Sequence, residues 1–213
     1  MELEQTTKYG TVCRPGGLAL TARMIKLCGL KKGDCIADIG CGTGTTVAYL
    51  KDEFRIKGIE IDTDKIKTAK EKGLDILYAS AADMPFADDE LDGIIFECSF
   101  SKMNAEPVLA QAYRVLKKGG KIAFSDFYAK NEPYQFTNLL GRCDTMELWK
   151  QRLEMAGFNV LTTEDYSKLL PIMWTQLVAE QGKENIYQNI GVTKEKLKQI
   201  NCGYCVIIAQ KRG

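Results

Sequence analysis

The chain has no histidine among its 213 residues. That removes the commonest general base and the commonest metal ligand together. No apolar run reaches the roughly 18 residues of a membrane-spanning helix. The start, "MELEQTTKYG", lacks a secretory signal pattern, so a cytoplasmic location is expected. Charge of one sign is also scarce, since 29 Lys and Arg against 28 Asp and Glu leave a net +1. Nucleic acid and anionic membranes need clustered positive charge, and no dense Lys/Arg run exists, so neither is expected as a partner. Repeats, low-complexity tracts and long linkers are absent as well.

Cysteine, by contrast, is plentiful, at positions 13, 28, 35, 41, 98, 143, 202 and 205. A cytoplasmic chain keeps such residues reduced, and most are expected to pack as small apolar groups. Cys202 and Cys205 form one CxxC, half of a four-thiolate zinc site with no second half in the sequence. No metal is expected.

Apolar strand-like runs alternate with helical patterns. The strands are predicted at 35–39, 54–60, 75–79, 92–97 and 121–126, with helices near 16–29, 43–51, 63–72 and 104–116. This alternation indicates an α/β parallel sheet with helices on both faces. "DGIIFE" is apolar without alternation, as a strand covered on both sides should be. A further helix is predicted over 145–156, with Asp144 and Glu147 as its capping box and Gly157 as its C-terminal cap. Strands over 158–164 and 204–211 complete a set of seven. The expected organisation is one domain over 1–213, with an N-terminal cap segment (1–30) and a helical insert (165–203). In the insert, Leu169, Leu170, Met173, Trp174, Leu177 and Val178 recur at helical spacing, and Pro171 fits only near the first turn. That helix is either core packing or a lid or dimer surface.

The densest chemistry is in "CIADIGCGTGTT", residues 35–46. Gly40, Gly42 and Gly44 follow a strand, and glycines there let backbone approach a ligand. A dinucleotide fingerprint needs its third glycine at the sixth position, which Thr45 occupies. Asp38, two residues before the loop, would repel a pyrophosphate but suits a cationic ligand. The pattern therefore favours S-adenosylmethionine, which carries a sulfonium and an ammonium, over NAD. Glu60, 20 residues after Gly40, stands where an acid accepts hydrogen bonds from ribose hydroxyls. Asp62 reads as the N-cap of the next helix. "RPGG" at 14–17 reads either as a plain turn or as a helix start whose N–H groups, with Arg14, receive a carboxylate.

"ADIGCGTG", "GIEID", "ASAADMPFADDELDGIIFE" and "YRVLKKGGKIAFSDF" occur in the order found in class I S-adenosylmethionine-dependent methyltransferases. The chain resembles their type 11 branch, which includes quinone C-methyltransferases and arsenite methyltransferases, over about residues 10–165. The resemblance implies a Rossmann-like seven-stranded sheet with its last strand antiparallel. It implies methyl transfer to a small molecule, with S-adenosyl-L-homocysteine as product. Residue by residue, Asp38, Gly40 and Gly42 would line the methionine and ribose end of the cofactor. Glu60 would hold the ribose, Ile61 would pack on the adenine, and the Ala81 N–H would meet the ring. Ser80 stands where the family usually has Asp. Arg14 and Gly17 would receive the carboxylate, and Glu97 would face the methionine. Catalytic residues are not identified. Cys98, and Cys143 before the capped helix, are the acceptor-side candidates, and the thiols allow a thiophilic acceptor such as arsenite or a thiol. The competing functions are a nicotinamide-dependent oxidoreductase and a non-catalytic cofactor- or partner-binding protein. Oligomeric state is not legible.

Overall fold

The computed structural model describes residues 5–7, 10–12, 14–137 and 140–213. Parts of the predicted cap segment (residues 1–4, 8, 9 and 13, with Cys13) lie outside the described residues. In chain order the elements are β1 (Gln5–Thr7), β2 (Gly10–Val12), α1 (Gly17–Cys28), β3 (Cys35–Ile39), α2 (Thr45–Leu50), β4 (Arg55–Glu60), α3 (Thr63–Glu71) and β5 (Ile76–Tyr78). Then come β6 (Leu91–Glu97), α4 (Ala105–Val115), β7 (Leu116–Ala129), β8 (Tyr134–Gln135), β9 (Arg142–Cys143), α5 (Met146–Met155) and β10 (Phe158–Asp165). The chain ends in α6 (Leu170–Gln181), α7 (Lys183–Ile190), α8 (Lys194–Ile200) and β11 (Cys202–Lys211).

Seven strands form one sheet in the order β10-β11-β7-β6-β3-β4-β5. β3 through β7 are mutually parallel, and β11 runs antiparallel between β7 and β10. The fold is the seven-stranded Rossmann-like sheet expected, with its last strand reversed. Apolar side chains on both faces make the central strands a divider between two cores. Ile39, Ile94, Phe96, Phe124 and Trp149 pack on one side, and Ile36, Ile95, Val206, Ile208 and Met24 on the other. Trp149 and Leu153 of α5 are buried where its apolar stripe meets the sheet.

One local expectation is corrected. Thr145, not Asp144, caps α5, its hydroxyl accepting the Leu148 N–H at 3.3 Å. Asp144 is buried and ion-paired instead with Arg142 at 2.9 Å and Arg152 at 2.8 Å. The "KKGG" at 117–120 lies within β7. β7 already begins at Leu116, which pairs Leu91, and the register shifts before Gly93 meets Lys121. The extra residues are absorbed as an irregularity within one long strand.

The insert between β10 and β11 holds three helices. Pro171 sits in the first turn of α6, as its missing N–H requires. The apolar stripe of α6 is half-buried, and Leu170 and Met173 touch the core beside Leu20 and Tyr204.

Candidate functional site

Strand order reverses between β3 and β6, since β4 lies to one side of β3 and β7 lies beyond β6. In open parallel sheets the crevice beyond the strand ends at such a reversal is where ligands bind. Here it receives the ends of β3 (Asp38, Ile39), β4 (Glu60) and β6 (Glu97).

The glycine loop leaves β3 with Gly40 at φ 72° and Gly42 at φ 56°, a region that costs a side-chain-bearing residue energy. Gly40 is also closely packed: a Cβ there would lie 2.8 Å from Ser99 Cβ and 3.0 Å from Met103 Cε. At Gly42 a Cβ would meet nothing within 4 Å, so this part of the loop presents bare backbone to open space. The loop is tied to β4 twice. Gly40 and Cys41 donate to the Ile59 carbonyl at 2.8 and 3.1 Å. The Glu60 carboxylate accepts the N–H of Gly42 at 2.9 Å, of Ile61 at 2.8 Å and of Asp62 at 3.1 Å. Asp62 in turn caps α3, accepting from Asp64 and Lys65.

Beyond the loop lies a cleft of about 270 Å³. It is lined by Gly40, Glu60 and Ile61, by Ala79–Ala82 and by Lys102–Asn104. Ile61 is 64% exposed although it is a large apolar residue on this wall. A flat apolar ligand face would cover it. Ser80 is exposed, and its hydroxyl accepts the Ala82 N–H at 3.2 Å, closing a short turn.

The other end of the site is built on ionised groups. Arg14 Nε donates to Glu97 Oε1 at 2.9 Å, and its Nη2 lies 2.8 Å from Oε2. Thr21 of α1 and Thr46 of α2 each donate to this carboxylate, at 2.7 and 2.6 Å. Both hydroxyls also accept from Arg14 Nη2, at 2.7 and 3.0 Å. The pair is nearly sealed, with 11% and 5% of the two side chains exposed. Such a pair holds only when its remaining hydrogen-bonding groups are satisfied, and the two threonines do that. Asp38 is buried beside it. Burial above all, then the Glu97 charge, pushes the Asp38 carboxyl above the usual range, with Arg14 partly offsetting and Glu60 adding.

Of the residues singled out from sequence, Asp38, Gly40, Gly42, Glu60, Glu97 and Arg14 converge on this crevice, and Ile61 and Ala81 line its cleft. Gly17 opens α1, but its N–H donates to the Arg14 carbonyl at 3.2 Å, closing the Arg14–Gly17 turn. Cys98 and Cys143 are held by different partners. Cys98 Sγ lies 3.1 Å from the Tyr204 hydroxyl, and burial pushes its thiol up to about 12. Cys143 is buried with its sulfur 4.0 Å from Cys202, a contact that raises its pKa. Cys205, the other half of the CxxC, faces the opposite core. Among the described residues no group of three or more His, Cys, Asp or Glu is placed to hold a metal ion. Nor is any helix among them long and apolar enough to cross a membrane. Sequence reading missed Thr21, Thr46, Ser99 and Tyr204. The two threonines carried a signal, being polar positions on otherwise apolar helix faces.

A parallel sheet with a glycine loop and an acid at its reversal point defines a nucleoside-binding α/β protein, and comparison with known proteins narrows the class. Residues 37–124 match the Methyltransf_11 family, a methyltransferase domain. The chain is similar to phosphoethanolamine N-methyltransferase of Triticum aestivum, 24% identical over 200 residues that take in 83% of this chain and 38% of that protein. It is 23% identical over 224 residues to the 27-O-demethylrifamycin SV methyltransferase of Amycolatopsis mediterranei (strain S699), covering 90% of this chain and 82% of the relative. Among solved structures it is similar to geranyl diphosphate C-methyltransferase from Streptomyces coelicolor A3(2), in complex with Mg2+, geranyl diphosphate and S-adenosyl-L-homocysteine. That likeness has a TM-score of 0.77 at 15% identity, over 92% of this chain and 78% of the other. The chain spans only 38–43% of the length of two phosphoethanolamine N-methyltransferases it matches. Residues 37–124 thus match a methyltransferase domain, and the chain shares its fold with methyltransferases solved in complex with S-adenosyl-L-methionine or S-adenosyl-L-homocysteine.

Proposed function

We propose that the protein transfers a methyl group from S-adenosylmethionine to a small-molecule acceptor, releasing S-adenosylhomocysteine. The observation that carries this reading is the buried Asp38 beside the glycine loop, with Glu97 on one side and the Glu60-braced cleft on the other. Two acids at one end of the crevice, Asp38 in its ionised form, suit a ligand with a sulfonium and an ammonium and disfavour a pyrophosphate. Glu60, Ile61 and Ala81 would take the ribose and base. Arg14 and Glu97 would take the amino-acid end, with the Gly17 N–H closing the turn that places Arg14.

The cofactor supplies an electrophilic methyl on a good leaving group, so the chain's task is alignment and exclusion of water. Asp38, Gly40 and Gly42 would fix the donor from below. Arg14, brought down on Glu97 by the turn into α1, would close it from above. The lack of histidine fits a reaction in which the acceptor needs no imidazole base.

For the acceptor we favour a small organic nucleophile over a thiophilic species such as arsenite. The Cys98 thiol stays protonated at neutral pH, and Cys143 makes its thiol contact with Cys202 instead. The reading includes a cytoplasmic setting, supported by the seven described cysteines being free thiols.

A thermal-shift comparison tests the donor: S-adenosylhomocysteine should raise the melting temperature and NADH should not. Stabilisation by NADH alone would restore the oxidoreductase reading. A labelled-methyl transfer assay over thiols, quinols, amines, carboxylates, arsenite and selenite tests the acceptor. Cofactor binding with no transfer to any acceptor would favour a non-catalytic binding protein, and transfer to arsenite alone would overturn the preference for organic acceptors.

A further inference from the structure

We propose that Tyr204 is a positioning residue that holds the turn after β6, and with it Glu97, in the form the donor site requires. The proposal rests on the reading of this crevice as the donor site. Tyr204 is fully buried in β11, yet its hydroxyl is not idle. It lies 3.1 Å from Cys98 Sγ and donates to Ser125 Oγ at 3.1 Å. The Cys98 N–H donates to the Ser125 carbonyl at 2.8 Å. A closed ring of contacts thus links β6, β7 and β11 at one residue.

That residue is strained. Cys98 has φ 52°, one of three positive-φ residues other than glycine among the described ones. A side chain in this region costs energy and persists only where surroundings hold it. The turn it makes is where consecutive side chains leave for different partners. Glu97 goes to Arg14, Thr21 and Thr46, while Ser99 Oγ donates to the Ile39 carbonyl at 2.7 Å, under the glycine loop. If Cys98 relaxed, Glu97 and Ser99 would lose their directions together. Tyr204 also reaches the insert, its N–H donating to Ser167 Oγ at 3.2 Å and its carbonyl accepting the Tyr166 N–H at 2.7 Å. One residue therefore joins the start of the helical insert, through its backbone, to the turn after β6, through its hydroxyl.

Y204F keeps the ring and its edge-on contact with Phe127, and removes only the hydroxyl. By calorimetry it should bind S-adenosylhomocysteine about fivefold more weakly, the scale of one hydrogen bond. Glycine accepts positive φ freely, so Y204F/C98G should return to within about twofold of the parent. Loss of packing would not be rescued in this way. Wild-type affinity in Y204F, or a loss that C98G fails to repair, overturns the proposal. Peptide-resolved labelling with N-ethylmaleimide gives a readout independent of the cofactor. Cys98 should react about fivefold more slowly in Y204F, as losing the Tyr204 hydrogen bond raises its pKa and cuts the reactive thiolate, while Cys205 is unchanged. Equal Cys98 rates would overturn the proposal even if the parent bound no S-adenosylhomocysteine, an outcome that would itself sink the donor-site reading.

Discussion

At the scale of single residues, two carboxylates carry different burdens. Glu60 is a brace: it accepts three backbone N–H groups from the glycine loop and the β4–α3 turn. Glu60→Ala would take the acceptor from all three, which sit at half-buried or exposed positions, so each loss costs about 0.5–1.5 kcal/mol. S-adenosylhomocysteine affinity should drop at least about tenfold by calorimetry, and unchanged affinity would mean the ribose lies elsewhere. Asp38 is a switch of charge. Its pKa in the free fold is pushed up to about 8 by burial and by Glu97, so the group is neutral below that pH. The neutral form thus adds stability at low pH, and this is lost as pH rises through about 8. A cationic cofactor needs the charged form. Its affinity should therefore fall as pH drops below about 8, by at most about tenfold per pH unit. Asp38→Asn should bind more weakly and show a flat profile. A sloping profile in the variant would assign the titration to another group.

At the scale of elements, the helix after β9 shows what a sequence does and does not disclose. The apolar positions Trp149 and Leu153 fixed where α5 begins and ends, because only a helix puts them on one buried stripe. The cap was read one residue early, since Asp and Thr are both good N-caps and spacing alone cannot rank them. What decided between them was tertiary: Arg142, brought in by β9, and Arg152, from within α5, both claim Asp144. The two roles are separable by denaturant unfolding. Thr145→Ala should cost about 1 kcal/mol, the worth of a cap. Asp144→Ala should cost more, about 2–3 kcal/mol, because it leaves Arg142 partly buried without a counter-charge and Arg152 with only Glu106 at 3.5 Å. Equal costs would mean the ion pairs contribute nothing beyond a cap. The same limit explains the site. Asp38, Gly40 and Glu60 were legible because a loop motif spaces them along the chain. Thr21, Thr46 and Tyr204 were not, because helices and a late strand bring them to Glu97 and Cys98 from far away in sequence.

For the molecule as a whole, the open matter is whether the insert is part of the core or a cover over it. Its burial speaks for a cover. The apolar stripe of α6 is only half-buried, and Ile186 and Ile200 are the fully buried apolar residues of α7 and α8. β3, β6 and β7, by contrast, are sealed on both faces. The insert nevertheless touches the start of α1. Leu169 lies against Gly16 at the start of α1, and Arg23 of α1 pairs with Glu164 at the end of β10. Segments with few buried apolar contacts open at free energies well below global unfolding. Native-state hydrogen exchange should accordingly show α6 and α7 exchanging by local opening, while β6 amides exchange only with global unfolding. Because α1 carries Thr21 to Glu97 and meets Leu169, binding of S-adenosylhomocysteine should slow exchange in α1 first and in the first turn of α6 with it. Protection of α6 equal to that of β6 in the free protein would make the insert core packing. Slowing in α1 without any in α6 would uncouple the insert from the donor and leave acceptor binding as its remaining task.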